Sequence, residues 1–262
     1  MRRMKIFNSL LIATSFITIS QGKLVEKSVT YQQGGATLEG FHVYDDAVAG
    51  KRPAVLVVHQ WTGLSEYEKR RSRMLAELGY NVFAADIYGQ GIRPQPPEAG
   101  KEAGKFKGDR TVFRARLTAA LDALKADERT NPSKIAAIGY CFGGAGALEL
   151  ARADSGITGV VSFHGSLDAA PGMTAESGKT LAKILVLHGA NDPYVPAAQV
   201  VAFQKEMTDA KADWQMVFYS GAVHSFTLKE AGDDNSKGAA YNGAADRRSW
   251  DAMKSFFAEL FK

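Results

Sequence analysis

The fold is decided by the stretch KIAAIGYCFGGAGALEL, residues 134–150. Its first part, Lys134–Gly139, is an apolar run typical of a strand that is buried on both faces. A helical pattern, Phe142–Ala153, begins within two residues of the end of that run. A buried strand that turns at once into a helix indicates a βα unit, the building block of a parallel sheet.

The same alternation continues on both sides of this stretch. We predict further strands at Leu24–Tyr31, Ala36–Tyr44, Arg52–His59, Tyr80–Asp86, Thr158–Phe163, Ala182–His188 and Asp213–Tyr219. Further helices are predicted at Ser65–Leu78, Asp109–Asp127, Pro196–Ala210 and Gly243–Phe261. The fold class is therefore α/β, with a mostly parallel central sheet and helices on both faces. Three segments are predicted to be surface excursions that form a lid or rim: Gly89–Gly108, Gly165–Lys179 and Lys229–Tyr241.

The composition fits one globular domain and excludes several other classes. The chain has 262 residues, of which 45% are hydrophobic and 23% charged, so a sizeable core can be buried. One cysteine cannot form a disulfide framework within the chain. The formal net charge is +4, and three of these positive charges belong to the first 22 residues, so the remainder carries +1. A near-neutral domain without a basic stripe is not expected to bind nucleic acid.

The first 22 residues have the pattern of a secretory signal peptide. They begin with MRRMK, continue with an apolar stretch of 15 residues, and end with Ser20 and Gly22 at the small-residue positions before a cleavage site at Lys23. We therefore predict a signal peptide at 1–22, one domain at 23–262, and export to the periplasm if the source is bacterial. No stable membrane insertion is expected after cleavage. An uncleaved anchor is the alternative interpretation.

The strand-to-helix turn carries a candidate nucleophile. Cys141 lies at its centre, with Gly139 two residues before and Gly143 two residues after. Small residues at these positions let strand and helix pass closely, as in the nucleophile elbow of α/β hydrolases. The helix N-terminus favours a thiolate, and the N–H of Phe142 points where an oxyanion would form. The alternative is that Cys141 is a small buried hydrophobic residue.

Two downstream residues complete a candidate triad. Asp192 follows the strand Ala182–His188, and His224 follows the strand Asp213–Tyr219. Open α/β sheets place their sites at the carboxyl ends of strands. The order nucleophile, acid, histidine is that of α/β hydrolases. Cys141, Asp192 and His224 are therefore the predicted catalytic residues.

Other polar residues receive supporting or structural interpretations. The loop after Arg52–His59 is where a second oxyanion N–H is expected, which assigns backbone roles to Gln60 or Trp61. His42 is predicted to lie at the surface and His164 to make a structural hydrogen bond. No cluster of His, Asp and Glu has metal-ligand spacing, and no phosphate-cradling glycine pattern occurs, so no metal or cofactor is predicted.

Taken together, these residues resemble the dienelactone hydrolases, which are carboxymethylenebutenolidase-like α/β hydrolases. The matching pieces span nearly the whole chain after the leader: HQWTG at 59–63, ADIYG at 85–89, GYCFGG at 139–144, GANDPYVP at 189–196 and AVHSF at 222–226. The resemblance implies a Cys141–His224–Asp192 triad that acts on a small ester or lactone. In such an enzyme the thiolate forms an acyl-enzyme, which water activated by His224 then hydrolyses.

Departures from the family pattern concern the substrate. Well-known members carry a glutamate where this chain has Gln60, which cannot ionise. Members specific for dienelactone hold the substrate carboxylate with arginines. At one of these positions this chain has Gly89-Gln90, with Arg93 three residues further on, and at another it has Thr227-Leu228-Lys229. An anionic dienelactone is therefore not the favoured substrate. Trp61, Tyr88 and Arg93 are expected to line the substrate pocket.

Two other classes of function stay open at this point. The chain can be a catalytically idle α/β-hydrolase scaffold that binds a small molecule or protein, since the glutamate and arginine positions have changed. Alternatively, Cys141 can be a redox-sensing thiol, which export would expose to oxidation. A monomer is expected in each case.

Overall fold

The structure is a computed structural model that describes residues 22–262. Its strands are β1 (Leu24–Gln33), β2 (Ala36–Asp45), β3 (Arg52–Val58), β4 (Asn81–Ala85), β5 (Thr130–Tyr140), β6 (Gly159–Phe163), β7 (Lys183–Gly189) and β8 (Trp214–Tyr219). Its helices are α1 (Glu66–Glu77), α2 (Glu98–Gly108), α3 (Arg110–Ala126), α4 (Phe142–Arg152), α5 (Ala197–Asp209) and α6 (Gly243–Leu260). The predicted signal peptide, apart from its last residue, lies outside the described residues.

The eight strands form one sheet in the order β1-β2-β4-β3-β5-β6-β7-β8. β1 and β2 pair antiparallel with each other, and β2 also pairs antiparallel with β4. Every pair from β4 across to β8 is parallel. The predicted α/β fold with a mostly parallel sheet is therefore confirmed.

Helices cover both faces of the sheet because its central strands are apolar on both sides. In β3, Leu56 and Val58 pack into a cluster with residues of α2, α3, α4 and α5. The alternate residues Val55 and Val57 pack into a second cluster with residues of α1 and α6. Side chains alternate between the faces of a strand, so an unbroken apolar run satisfies both layers at once.

The parallel strands bring their carboxyl ends to one edge of the sheet. Cys141 follows β5, His164 follows β6, Asp192 follows β7 and His224 follows β8. Residues that are far apart in the sequence therefore meet at this edge.

Two predictions about local structure are wrong. The sequence analysis predicts no helix in the surface excursion 89–108, but the second half of this segment is the helix α2. Three of its residues, Ala99, Ala103 and Phe106, form a buried stripe at helical spacing, and packing of this stripe outweighs the poor helix propensity of its glycines. His42 is buried on β2, where it is hydrogen-bonded to Asn81 at 2.7 Å, and does not lie at the surface.

Among residues 22–262, no helix has the length and apolar character required to cross a bilayer.

Candidate active site

The turn between β5 and α4 is built around Cys141. Its backbone has φ 55° and ψ −116°, a region that residues with a Cβ rarely adopt. The turn is also tight: a Cβ at Gly139 would collide with the backbone oxygen of Gly143, and a Cβ at Gly143 would collide with that of Val58. Glycine is therefore required at both positions, and the cysteine side chain projects from a fixed, strained turn.

The thiol lies at one end of a hydrogen-bonded chain of three side chains. The Sγ of Cys141 is 3.0 Å from Nε2 of His224, and Nδ1 of His224 is 2.8 Å from Oδ2 of Asp192. Asp192 is held by the N–H of Tyr194, which donates to its second carboxylate oxygen at 2.9 Å. The structure thus brings together the three residues that the sequence analysis selected. Such a chain can carry a proton between the thiol and the imidazole.

The electrostatics of the pair favour a thiolate and an imidazolium. Burial alone raises the pKa of the Cys141 thiol, but the charge and hydrogen bond of His224 together with Lys107 and the Phe142 N–H lower it below its ordinary value. Burial alone lowers the pKa of His224, but the sulfur of Cys141 and the carboxylate of Asp192 raise it to about 10. Opposite charges at hydrogen-bond distance stabilise one another in a partly dry site.

Cys141 also contacts a second histidine, but not through its sulfur. The backbone N–H of Cys141 donates to Nδ1 of His164 at 3.2 Å. His224 is therefore the histidine within reach of the thiol, and the predicted structural hydrogen bond of His164 is present.

His59 fixes the peptide group that follows β3. Its Nε2 accepts the N–H of Ile87 at 3.2 Å, so the ring hydrogen sits on Nδ1, which donates to the carbonyl of Gln60 at 2.5 Å. Complete burial lowers the pKa of His59 to about 4, so the ring stays neutral. The orientation of the Gln60 carbonyl is thereby set.

The other backbone N–H and carbonyl groups of Gln60 and Trp61 are also hydrogen-bonded, with one exception. The N–H of Gln60 donates to Glu68 at 3.1 Å, and the hydroxyl of Tyr88 donates to the carbonyl of Trp61 at 2.9 Å. Within the described part of the chain, the N–H of Trp61 has no acceptor. Of the two predicted candidates in this loop, Trp61 rather than Gln60 thus has an unoccupied backbone N–H. This group and the backbone N–H of Phe142, at the start of α4, are the two candidate donors to an oxyanion.

A cavity of about 510 Å³ opens above the thiol. Cys141 and His224 form its floor, and Trp61 and Phe142 belong to its apolar wall. The remaining lining residues are Gly100, Ala103, Gly104, Lys107, Ser166, Tyr194, Ser225 and Ala239. Each of the three segments predicted as excursions thus contributes to the rim.

Two residues expected in the pocket lie outside this lining. Tyr88 is buried behind Trp61, which it positions through the hydrogen bond described above. Arg93 is turned into its own loop, where it donates to the carbonyl oxygens of Gly89 and Ile92 and lies 3.4 Å from Asp86. These contacts occupy Nη1 of its guanidinium and hold the side chain against its own loop. Arg93 lies outside the cavity lining because the buried carboxylate of Asp86 attracts its guanidinium.

Several residues of the site were not foreseen from the sequence. Lys107 was missed because no helix was predicted in the segment 89–108. Glu68 was missed because a glutamate in a helical pattern is ordinarily solvated, although its position three residues after Ser65 is the signature of a capping box, which the structure contains. Among residues 22–262, no group of three or more His, Cys, Asp or Glu residues is placed to hold a metal ion.

Comparison with known proteins places this geometry in a family. A sequence model of the dienelactone hydrolase family matches residues 38–261. A Saccharolobus solfataricus protein named "Putative carboxymethylenebutenolidase" is 26% identical over 272 residues, covering 91% of this chain and 100% of the relative. The crystal structure of P91 from metagenomic libraries, titled a dienelactone hydrolase-like promiscuous phosphotriesterase, is 39% identical with a TM-score of 0.86. That alignment covers 91% of this chain and 99% of the other. The family match, the parallel sheet and the cysteine turn agree: this chain belongs to the dienelactone hydrolase family and is a hydrolase with the α/β-hydrolase fold.

Proposed function

We propose that this chain is an exported, cysteine-dependent hydrolase of carboxylic esters or lactones, with Cys141 as nucleophile, His224 as base and Asp192 as the residue that orients the base. One observation carries the proposal. A thiol on a strained turn is hydrogen-bonded to an imidazole at 3.0 Å, and that imidazole is hydrogen-bonded to a buried carboxylate at 2.8 Å. A nucleophile, a base and an orienting group in this order are the parts that acyl transfer needs.

The first half-reaction acylates the thiol. The thiolate of Cys141 attacks the carbonyl carbon, a C–S bond forms, and the carbonyl electron pair moves onto oxygen. The N–H groups of Phe142 and Trp61 stabilise that oxyanion. When the C–O bond to the leaving group breaks, the alkoxide takes the proton from Nε2 of His224. The products are an alcohol and a thioester on Cys141, or, with a lactone, one ring-opened acyl-enzyme.

The second half-reaction releases the acid. Neutral His224 takes a proton from water, and the resulting hydroxide adds to the thioester carbonyl. The C–S bond then breaks, the carboxylic acid leaves, and the thiolate and imidazolium are restored. Asp192 keeps the Nδ1–H of His224 directed toward itself throughout, so that Nε2 faces the reacting atoms.

The cavity supports a small, largely apolar acyl group. Its volume is about 510 Å³, and Trp61, Ala103 and Phe142 give it apolar walls. A Bradyrhizobium relative that is 26% identical, over 68% of this chain and 75% of its own length, is named a lactonase. Both ester and lactone substrates therefore belong in a first panel, together with a phosphotriester because of the name of P91.

The test is hydrolysis of that panel by protein beginning at Lys23, beside Cys141→Ala and His224→Ala. We expect hydrolysis of at least one ester or lactone, and its loss to near background in both variants. Turnover that survives in Cys141→Ala would exclude the thiol as nucleophile. Ligand binding that survives both changes, with no turnover in any protein, would favour a binding scaffold.

Export and a monomeric state are part of the same proposal. They rest on the signal-peptide pattern of residues 1–22 and on the single-domain length of the remainder. Cell fractionation with N-terminal sequencing of the purified protein tests the first, and the mass in solution tests the second. A full-length protein recovered with the membranes would support the uncleaved anchor instead.

A further inference from the structure

A second buried histidine touches the site from behind. His164 follows β6, is fully buried, and its ring packs edge-on against that of His224 with 5.3 Å between centroids. Its Nδ1 accepts the backbone N–H of Cys141 at 3.2 Å, and its Nε2 is 2.7 Å from Oγ1 of Thr227. One ring thus joins the turn that carries the thiol to the segment that follows His224.

The hydrogen bonds determine the form of this ring. A backbone N–H can only donate, so Nδ1 of His164 carries no hydrogen and the ring is neutral. The ring hydrogen therefore sits on Nε2, which donates to the hydroxyl of Thr227. Burial and the neighbouring His224 hold the pKa of His164 well below its usual range, which agrees with the neutral form.

The far end of this bridge is anchored to two helices. The hydroxyl of Tyr67 on α1 lies 2.6 Å from Oγ1 of Thr227, and Arg71 donates to the Thr227 carbonyl at 3.1 Å. Arg71 is itself paired with Asp246 of α6 at 2.5 Å. Thr227 is therefore a fixed point, against which the position of the cysteine turn can be held.

We propose that His164 is a positioning residue, which sets the distance between the thiol of Cys141 and the imidazole of His224 by bridging the Cys141 backbone to the Thr227 hydroxyl. The inference rests on the proposed function, in which that distance governs thiolate formation. The turn at Cys141 has a strained backbone, and strained turns persist only where their surroundings hold them. A misplacement of about 1 Å between reacting groups can cost about 10²-fold in rate.

The bond between His164 and Thr227 can be removed from either side. His164→Asn keeps an acceptor near the Cys141 N–H but is too short to reach Thr227, and Thr227→Val removes the hydroxyl at nearly constant volume. Thr227→Ser retains the hydroxyl and serves as the rescue variant. Thr180→Val is the control: it removes a buried threonine hydroxyl that, unlike that of Thr227, has no hydrogen-bond partner within residues 22–262, so it should change neither alkylation nor kcat.

Two measurements decide the proposal: the pH dependence of thiol alkylation by iodoacetamide, and kcat and KM for an ester. We expect His164→Asn and Thr227→Val each to move alkylation to higher pH and to lower kcat roughly 10- to 100-fold with little change in KM. The double variant should be no worse than Thr227→Val alone, because that change already breaks the bond between His164 and Thr227. Thr227→Ser should restore most of the loss.

A purely structural role has a different outcome. If Thr227→Val lowers thermal stability but leaves the alkylation profile and kcat unchanged, the proposal is overturned, even if the His164→Asn protein fails to fold. Alkylation needs no substrate, so this result is independent of the proposed function. Hydrolysis that persists in Cys141→Ala would overturn the proposed function instead.

Discussion

Cys141 adopts a positive φ although it has a Cβ, and its neighbours compensate for the strain. The glycines at 139 and 143 allow the strand and helix to approach, and the backbone N–H of Cys141 is shared between the carbonyl of Phe163 and the ring of His164. The side chain is in turn held at 3.0 Å from His224. The strained backbone and the reactive thiol thus belong to the same residue.

The pKa shifts of this pair predict a bell-shaped pH profile for ester hydrolysis. The thiol must be ionised, and its pKa is lowered from an ordinary value of 9.0, so the acid limb should fall below that pH. His224 must be protonated to serve the leaving group, and its pKa is raised to about 10, so the rate should fall again near pH 10. An acid limb at or above pH 9.0 in a plot of kcat/KM would contradict the ion pair.

Asp192→Asn should slow hydrolysis by up to about 10⁴-fold, the loss known for the equivalent change in Ser-His-Asp triads. In this variant an amide N–H would donate to Nδ1 of His224, which would force the ring hydrogen onto Nε2. Nε2 could then no longer accept a proton. The measurement is kcat at the pH optimum, with Asp168→Asn as a control at a half-exposed carboxylate that is paired with Arg110. A near wild-type kcat for Asp192→Asn would show that another group orients His224.

For individual residues, the sequence predicts the reacting groups better than the residues that hold them in place. The turn pattern and chain order are enough to select Cys141, Asp192 and His224. The supports depend on tertiary contacts: Gln60 could not be separated from Trp61 until Glu68 was seen to accept the Gln60 N–H. In the same way Arg93 was expected in the pocket, and only its contacts with its own loop remove it.

Among the elements, α2 contributes most to the shape of the cavity. It supplies Ala103, the glycines at 100 and 104, and the cation Lys107. The helix was missed because its glycines and the prolines before it disfavour a helix locally. The buried stripe that stabilises it becomes informative only once the sheet is available as a packing surface.

Lys107→Met should move thiol alkylation to higher pH, because the ammonium helps to lower the pKa of Cys141. Lys107 is exposed, so the effect on rate below the thiol pKa should be less than about threefold and should weaken with added salt. Lys105→Met is the matched control, since its ammonium on the same helix is paired with Glu102 at 2.6 Å. Equal effects of the two changes would contradict a specific role for Lys107.

The helix α4 is anchored below the site by a buried ionic cluster. Glu149 is fully buried and is paired with Arg114 at 2.7 Å and with Arg152 at 3.3 Å. Glu149→Gln removes the carboxylate that Arg114 and Arg152 share, but Arg152 keeps its pair with Glu206, so the change should lower the free energy of unfolding by about 2 kcal/mol. Urea unfolding measures the change, with exposed Glu66→Gln expected to stay within about 0.5 kcal/mol. An unchanged midpoint for Glu149→Gln would mean that the cluster contributes nothing to stability.

For the molecule as a whole, the common direction of the parallel strands explains the position of the site. The turns after β5, β7 and β8 lie at one edge of the sheet, and the segments around 89–108, 165–179 and 229–241 surround it with a rim. Apolar periodicity predicts this sheet well, because burial on both faces leaves a clear pattern in strands such as β3. The rim carries no such pattern: turn residues predict which segments form it, but the individual residues that line the cavity follow only from the structure.

The central claim is that an acyl group passes through Cys141, and its most direct test is to trap that intermediate. The protein from Lys23 onward is mixed with a chromogenic acetate ester, quenched in acid during turnover, digested and analysed by mass spectrometry. We predict one added acetyl group on the peptide that contains Cys141, and its absence in Cys141→Ala. An unmodified Cys141 peptide during rapid turnover, together with full hydrolysis by Cys141→Ala, would contradict the account.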